Sequence, residues 1–192
     1  MGYSVNMPLL YTLTFYNAIA NKGKMMRPYF IESFERDSIV YEKFKPTVVS
    51  GSICNKKSIE YAHEALVGVI ENGTGKNLKN QYYKIAAKTG TARIALEGGG
   101  YGDDYHKRHQ ASLAGYFPAD NPEYSCIVVL YTGTMSGDAY GATFAGPVFK
   151  GIADKIYATI TMSDISIPGQ SSIIEHIQQW WPLHNHNALQ DK

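Results

Sequence analysis

Apolar residues recur at helical spacing in three segments of this 192-residue chain. The first segment begins near Pro8, which suits a first helical turn, and stops before Gly23, which is free to take a left-handed cap. Its apolar stripe comprises Leu9, Leu13, Tyr16 and Ala20. This pattern predicts a helix that ends at about Asn21.

Two further segments share the helical spacing. One runs from Ser58, a residue type favoured at the N-cap, to Asn72, and it stops at Gly73-Thr74-Gly75. Its stripe comprises Ile59, Ala62, Leu66, Val69 and Ile70. The other segment runs from about Ala142 to Ala158. Its residues Phe144, Val148, Ile152 and Ile156 share one side.

Strand-like runs lie between these helices. Residues 27–44 form two extended runs with a turn at Asp37-Ser38. After the second helix come "YKIAAKTGTA" (83–92), a long polar loop, "ASLAGYF" (111–117) and the nearly apolar "YSCIVVLY" (124–131). The apolar run predicts a strand that is covered on both faces. The order of elements predicts an α+β fold, with helices packed on an antiparallel sheet.

Composition narrows the possible functions. The chain is 44% hydrophobic and carries 18 basic and 17 acidic residues, a formal net charge of +1. Because there is no basic stripe or long charge run, the sequence does not indicate a nucleic-acid partner. No apolar run approaches the roughly 18 residues needed to cross a bilayer, and no signal sequence is visible. We therefore expect one globular domain with no membrane segment.

The segment Lys88-Thr89-Gly90-Thr91 is the main candidate site. On a strand, Lys88 and Gly90 share one face, and Thr89 and Thr91 share the other. One interpretation is an ordinary edge strand protected by a lysine. The other is a substrate-binding edge, where Gly90 permits close approach, the two threonine hydroxyls bind a carboxylate, and the Thr91 amide donates to an oxyanion.

More than this tetrapeptide carries a family resemblance. "AAKTGTA" follows "VIENGTGKN" and precedes "ASLAGYFPADNPEYSCIVVLY" and "YGATFAGPVFKGIADKIY"; "GYSVNMPLLYTLTFYNAIANKGKMMRP" comes before them all. In this order the segments resemble the C-terminal part of the transpeptidase domain of class B, cell-division penicillin-binding proteins. The resemblance covers about residues 2 to 160. We therefore expect a C-terminal transpeptidase lobe at 1–160 and a polar tail at 161–192 with a short helix and no family match.

The resemblance implies a partial penicillin-binding transpeptidase, or serine β-lactamase-like, fold. It implies acyl transfer from D-Ala-D-Ala stem peptides in cell-wall cross-linking at division, with no cofactor. Lys88 then tunes the charge of the site, Thr89, Gly90 and Thr91 bind substrate, and the Thr91 amide completes the oxyanion hole. The implied partners are a peptidoglycan stem peptide or a β-lactam, and divisome proteins for the full-length parent. We expect that parent at the periplasmic face of the inner membrane. If this chain is made alone, we expect it in the cytoplasm.

One departure from the family pattern is decisive. The mechanism needs S-x-x-K, S-x-N and K-T-G motifs, and no Ser-x-x-Lys occurs among the 192 residues. Ser4-Val5-Asn6 fits S-x-N but lies in a segment that resembles the region downstream of that motif. We therefore expect the nucleophile upstream of this chain, no acylation by the chain alone, and an apolar patch left exposed.

Other interpretations stay open. The chain could be related to a serine β-lactamase or a β-lactam sensor, be a non-catalytic binding or scaffold module, or be a gene fragment. His106 and His109 have the spacing of a metal pair, but further ligands are missing nearby, so we expect a solvated loop and no metal site. Asp103-Asp104 is expected to lie in the same loop.

Overall fold

A computed structural model describes residues 7–95, 100–101, 107–133 and 139–164. The chain divides into a unit of residues 1–154 and a unit of residues 155–192. Within the second unit, the described residues continue the last helix. Ser4-Val5-Asn6, His106, Asp103-Asp104 and the helix expected in the tail all lie outside the described residues.

The described elements follow the expected order. The helices are α1 (Leu9–Ala20), α2 (Lys56–Glu71) and α3 (Gly141–Asp164), with a 3₁₀ turn at Lys76–Leu78. The strands are β1 (Met25–Met26), β2 (Ser33–Arg36), β3 (Ile39–Lys43), β4 (Val48–Ser50), β5 (Ala86–Ile94), β6 (Arg108–Phe117) and β7 (Tyr124–Tyr131). The combination confirms the predicted α+β class.

The main sheet is an antiparallel meander in the order β5-β6-β7. Ala86 of β5 lies opposite Tyr116 of β6, and Ile94 lies opposite Arg108. The excursion before α2 forms two separate two-stranded pairs, β1 with β4 and β2 with β3. Asp37 and Ser38 join β2 to β3 with φ of 53° and 64°, so the predicted turn is confirmed as a two-residue hairpin loop with both central residues left-handed.

Helices cover both faces of this sheet. Tyr116 and Phe117 are fully buried neighbours on β6, so their side chains point to opposite faces. Tyr116 belongs to a core cluster with Ile19 of α1 and Leu66 of α2. Phe117 instead meets Phe149 of α3 edge to face, with ring centroids 5.8 Å apart. Helices α1 and α2 therefore pack on one face of the sheet and α3 on the other.

The helix boundaries correct two predictions from the sequence. Pro8 is the N-cap of α1 rather than a residue of its first turn, and α2 begins two residues before Ser58. The N-cap of α2 is Asn55, whose Oδ1 accepts a hydrogen bond from the Ser58 amide at 2.9 Å. Ser58 is therefore the capped residue and not the cap. Gly23 takes the expected left-handed conformation, with φ of 93°.

The predicted apolar stripe of α3 is not its buried face. Phe144, Val148 and Ile152 are among the exposed large apolar side chains. The helix packs through small residues and one aromatic: Ala142, Ala145, Phe149 and Ala153 are buried. At its first residue, Gly141, the helix lies so close to the backbone of Gly90 and Ser112 that there is no room for a Cβ, so a face of small residues suits this packing. The stripe predicted for α1 is confirmed in part. Tyr16 and Ala20 pack against the core cluster, but Leu9 is exposed, and the buried residues of the helix are Ala18 and Ile19.

Strand β7 also differs from its prediction. Val128 is its one buried residue, whereas Tyr124 and Tyr131 are exposed. Strand β7 has β6 as its strand neighbour in the sheet. Its nearly apolar sequence therefore reflects a half-covered strand in the described part of the chain and not one covered on both faces.

Candidate functional site

The four candidate residues lie together on β5, an edge strand of the described sheet. Lys88, Thr89, Gly90 and Thr91 lie opposite Ala114, Leu113, Ser112 and Ala111 of β6. Lys88 and Thr91 are exposed, and Thr89 and Gly90 are half-buried. The predicted edge is therefore present, with its charge and hydroxyl groups accessible.

The Lys88 side chain folds back along its own strand. Its Nζ donates a hydrogen bond to the carbonyl oxygen of Thr89 at 2.7 Å. An ammonium group on a flexible stem usually extends into water, and here the carbonyl acceptor keeps it beside the strand. Positive charge consequently stays next to Thr89.

Thr89 is also held from outside the sheet. Its Oγ1 lies 2.9 Å from Oγ1 of Thr74, a hydrogen bond in which either hydroxyl can donate. Thr74 lies between Gly73 and Gly75 in the turn that follows α2. Because neither threonine is buried, the pair stays within reach of a ligand at the edge.

The two glycines let this turn press against the end of α2. A Cβ at Gly73 would come within 2.9 Å of the backbone of Val69, and a Cβ at Gly75 would come within 2.6 Å of Ile70 Cδ1. The Val69 backbone cannot move aside, so the turn needs a residue without a Cβ at position 73. At Gly75 the obstacle is the end of the Ile70 side chain, which is buried and would have to shift. The position of Thr74 is therefore fixed by packing.

Helix α3 begins at the same strand. The backbone N–H of Gly141 donates to Oγ1 of Thr91 at 3.3 Å. A Cβ at Gly141 would collide with the carbonyl oxygen of Ser112 and approach that of Gly90 to 2.7 Å. The first residue of α3 thus lies directly against the backbone of β5 and β6.

The turn and α3 are joined to each other. Asn77 Nδ2 donates to the carbonyl oxygen of Ala142 at 3.1 Å. One turn further along α3, Gly146 leaves room for the buried side chain of Leu78, whose Cδ2 would lie 2.8 Å from an added Cβ. The two elements that hold the threonine hydroxyls therefore form one connected support.

Gly90 has a neighbour that the sequence did not reveal. A Cβ at this position would collide with Oγ of Ser112 on β6. The space freed by the missing side chain is consequently used within the sheet. This packing role stands beside the expected role of Gly90 in close approach of a substrate.

The prediction for His109 is wrong. This residue lies on β6 and is 1% exposed, because β6 begins at Arg108 and extends further back than the apolar run suggested. Lys107 is buried as well. In the described ranges, no group of three or more His, Cys, Asp or Glu side chains is arranged to hold a metal ion.

Sequence reasoning missed three contributors to the site. Thr74, Asn77 and Gly141 contact Thr89, Ala142 and Thr91, but they lie 15, 65 and 50 positions away from these partners in the chain. In the sequence, the Gly-Thr-Gly triplet at 73–75 indicates a helix stop and forms part of the family resemblance, but it does not indicate a contact with Thr89. Two glycines around a threonine, ahead of an edge strand, were the available signal.

Comparison with known proteins identifies the family. The family model "Penicillin binding protein transpeptidase domain" matches residues 1–154. The chain belongs to the penicillin-binding protein transpeptidase family.

Curated relatives agree with this membership. The chain is 27% identical over 153 residues to the peptidoglycan D,D-transpeptidase FtsI homolog of Mesostigma viride, covering 73% of this chain and 25% of that protein. It is 24% identical over 182 residues to stage V sporulation protein D of Bacillus subtilis, covering 93% of this chain and 26% of that protein. The chain thus spans about a quarter of the length of these two relatives.

Solved structures show the same fold. The transpeptidase domain of FtsI4 D,D-transpeptidase from Legionella pneumophila aligns with a TM-score of 0.54 at 25% identity, covering 79% of this chain and 47% of that one. A peptidoglycan synthetase from Bifidobacterium adolescentis aligns with a TM-score of 0.63 at 23% identity, and the alignment covers 81% of this chain and 27% of that one. The expected transpeptidase, serine β-lactamase-like fold is thereby confirmed. Among the described helices, none has the length and apolar character that a bilayer crossing requires.

Proposed function

We propose that this chain supplies the substrate-carboxylate and oxyanion side of a peptidoglycan D,D-transpeptidase site. The observation that carries the proposal is the exposed edge of β5, where the Lys88 ammonium and the hydroxyls of Thr89 and Thr91 lie within four consecutive residues. These groups occur in a member of the transpeptidase family. The substrate class is the D-Ala-D-Ala end of a stem peptide, and β-lactams are its competitors.

The chemistry of the edge suits a carboxylate. A D-alanyl carboxylate needs donors and positive charge, and hydrogen bonds to an ionised acceptor are about twice as strong as neutral ones. Thr89 and Thr91 share one side of β5, so both hydroxyls can donate to one ligand. Lys88 stays beside them through its bond to the Thr89 carbonyl and adds positive potential.

The Thr91 amide is the proposed oxyanion donor. In an antiparallel pair, the N–H and C=O groups of residues i and i+2 point to the same side of the strand. The Thr89 carbonyl, which shares that side with the Thr91 amide, accepts from the exposed Lys88 side chain. A donor of this kind typically contributes about 3–4 kcal/mol to acyl transfer.

The nucleophile is proposed to come from outside these 192 residues. The S-x-x-K motif that the family mechanism requires is not in the sequence, and an acyl-enzyme cannot form without its serine. Two solved structures with the same fold, at 21% and 23% identity, are acyl-enzyme complexes of penicillin-binding protein A from M. tuberculosis with imipenem and with ceftriaxone. We propose divisome partners and the periplasmic face of the inner membrane for the full-length protein.

Ligand titration tests the binding role directly. The 192-residue chain, labelled with ¹⁵N, is titrated with N-acetyl-D-Ala-D-Ala and followed by amide shifts. We expect saturable shifts at Thr89 and Thr91 that disappear in the double variant Lys88→Ala/Thr89→Val. The double variant Lys24→Ala/Thr14→Val, in and after α1, is the matched control and should bind like the wild type. No saturable shift in the wild type would overturn the proposal.

Labelling with a fluorescent penicillin tests the missing nucleophile. The expected result is no stable adduct by gel fluorescence and no added mass by mass spectrometry. A covalent adduct on any residue of this chain would show that the chain carries its own nucleophile.

A further inference from the structure

We propose that Thr74 is a positioning residue of the carboxylate subsite, which orients the Thr89 hydroxyl so that its hydrogen points to the ligand. This inference rests on the proposed function, because it assigns a role within that site. It starts from the 2.9 Å hydrogen bond between the Oγ1 atoms of Thr74 and Thr89.

The direction of this hydrogen bond follows from the ligand. A hydroxyl group has one hydrogen to donate and lone pairs to accept. A carboxylate can only accept, so Thr89 must give its hydrogen to the ligand. The bond to Thr74 then runs from the Thr74 hydroxyl to Thr89 Oγ1. Donation by Thr74 also polarises the Thr89 hydroxyl and strengthens its own bond to the carboxylate.

The remaining polar groups around Thr89 support this direction. Lys88 Nζ is engaged by the Thr89 carbonyl oxygen, so the ammonium does not compete for the hydroxyl oxygen in this arrangement. Thr91 shows the same pattern, because its Oγ1 accepts from the Gly141 amide and keeps its hydrogen available. With Thr74 as the donor to Thr89 and the Gly141 amide as the donor to Thr91, each threonine hydroxyl has its own hydrogen left to donate to the ligand.

Thr74 is built into place, which distinguishes it from an incidental surface contact. Gly73 packs against the Val69 backbone at the end of α2 with no room for a Cβ, and Gly75 lies against the side chain of Ile70. Three residues later, Asn77 attaches the same turn to the Ala142 carbonyl of α3. The hydroxyl of Thr74 therefore reaches Thr89 from a backbone that is fixed on both sides.

Variants of Thr74 in the 192-residue chain test the role. Thr74→Val keeps the shape and removes the hydroxyl, Thr74→Ser keeps the hydroxyl, and Thr14→Val on α1 is the matched control. Affinities are measured by ¹⁵N titration with N-acetyl-D-Ala-D-Ala and with its C-terminal amide. We expect Thr74→Val to weaken carboxylate binding about three- to tenfold, the usual range for one hydrogen bond. Thr74→Ser and Thr14→Val should bind like the wild type.

The amide ligand separates positioning from general loosening. A positioning role lowers the preference for carboxylate over amide, whereas a merely structural role weakens both ligands alike. Wild-type affinity in Thr74→Val, equal loss for both ligands, or no recovery in Thr74→Ser would overturn the inference. If Thr74→Val does not fold, the affinities of Thr74→Ala, which lacks the hydroxyl, and Thr74→Ser, which keeps it, are compared instead. A wild-type chain that does not bind would overturn the proposed function itself, a result distinct from these.

Discussion

Gly141 and Thr91 lie 50 residues apart in the chain and meet where α3 begins: the Gly141 amide donates to the Thr91 hydroxyl oxygen at 3.3 Å. The contact needs the close backbone approach that glycine allows, since a Cβ would collide with Ser112 on β6. A helix N-terminus has free N–H groups, and here one of them is aimed at the site. Packing of α3 and the pose of Thr91 are thereby coupled.

Replacing Gly141 by alanine should damage both the fold and the site. The added Cβ meets backbone atoms, which cannot rotate away as a side chain would. Overpacking of this kind costs about 1–3 kcal/mol of unfolding free energy. We expect that loss in urea denaturation, together with weaker dipeptide binding in the titration.

Gly151 provides the matched control within the same helix. An added Cβ there meets no atom within 4 Å. Alanine in a helix interior is favoured over glycine by about 0.5–1 kcal/mol, so Gly151→Ala should stabilise the protein. Equal effects of the two substitutions would contradict the packing seen at Gly141.

Asn77→Ala should uncouple the Gly-Thr-Gly turn from α3. The substitution removes the 3.1 Å hydrogen bond to the carbonyl of Ala142, a buried residue. We expect a loss of about 0.5–1.5 kcal/mol in unfolding free energy, the usual net contribution of one hydrogen bond. Amide hydrogen exchange at residues 73–78 should accelerate more than exchange in β7. Unchanged exchange in the turn would show that Asn77 does not hold it.

The sequence predicted the strand of the site but not its support. Alternation placed Lys88 and Thr89 on a strand, because the period of two is a local property. Thr74 and Gly141 reach that strand through tertiary contacts, and no local pattern encodes a contact across 15 or 50 residues. The family resemblance found the right segments without showing which of their atoms meet.

The prediction of the buried face of α3 was wrong for a related physical reason. Hydrophobicity ranks Phe144 and Val148 above Ala145 and Gly146, yet the small residues of α3 face the sheet. Close packing rewards fit as well as apolar area, so a stripe of small residues can be the buried one. The boundary expected near residue 160 stays a prediction, and the family match ends at residue 154.

Tyr116→Phe should change the alkaline limit of stability. Burial raises the pKa of Tyr116 from 10.0 to about 12, and its hydroxyl lies 2.8 Å from His63 Nδ1. The unfolded chain therefore releases this proton first, and stability present below pH 10 is lost as the pH rises towards 12. A pKa difference of this size corresponds to a loss of stability on the order of 2–3 kcal/mol.

At neutral pH the phenylalanine variant should have an unfolding free energy lower by about 1 kcal/mol, because it lacks the hydrogen bond to His63. Its unfolding free energy should then fall less than that of the wild type as the pH rises above 10. Unfolding free energies at pH 8, 10 and 11.5 measure both effects. Tyr131→Phe removes an exposed hydroxyl on β7 and should keep the wild-type pH profile. An alkaline profile of Tyr116→Phe identical to the wild type would contradict the assignment.

Asp154→Asn should change the acid limit. Partial burial raises the pKa of Asp154, but the hydrogen bonds that it accepts and the charge of Lys150 outweigh burial and hold the pKa below its usual value. The donors are Lys150 Nζ at 2.6 Å, Tyr83 Oη at 2.6 Å and Asn80 Nδ2 at 2.7 Å. A lowered folded-state pKa stabilises the protein above the unfolded value of 3.8, and this contribution is lost as the pH falls below it.

At pH 7 the asparagine variant should therefore be less stable by about 1 kcal/mol, a figure reduced for solvent screening because 42% of the Asp154 side chain is exposed. The difference from the wild type should shrink as the pH falls below the unfolded-state pKa of 3.8, so it should be smaller at pH 2.5 than at pH 7. Asp120→Asn is the matched control. The Asp120 side chain is 70% exposed, so its ion pair with Lys84 should contribute little to the unfolding free energy. If the two proteins differ in unfolding free energy as much at pH 2.5 as at pH 7, the charge of Asp154 is not what stabilises the contact. Packing would then explain how Asp154 connects α3 to the segment before β5.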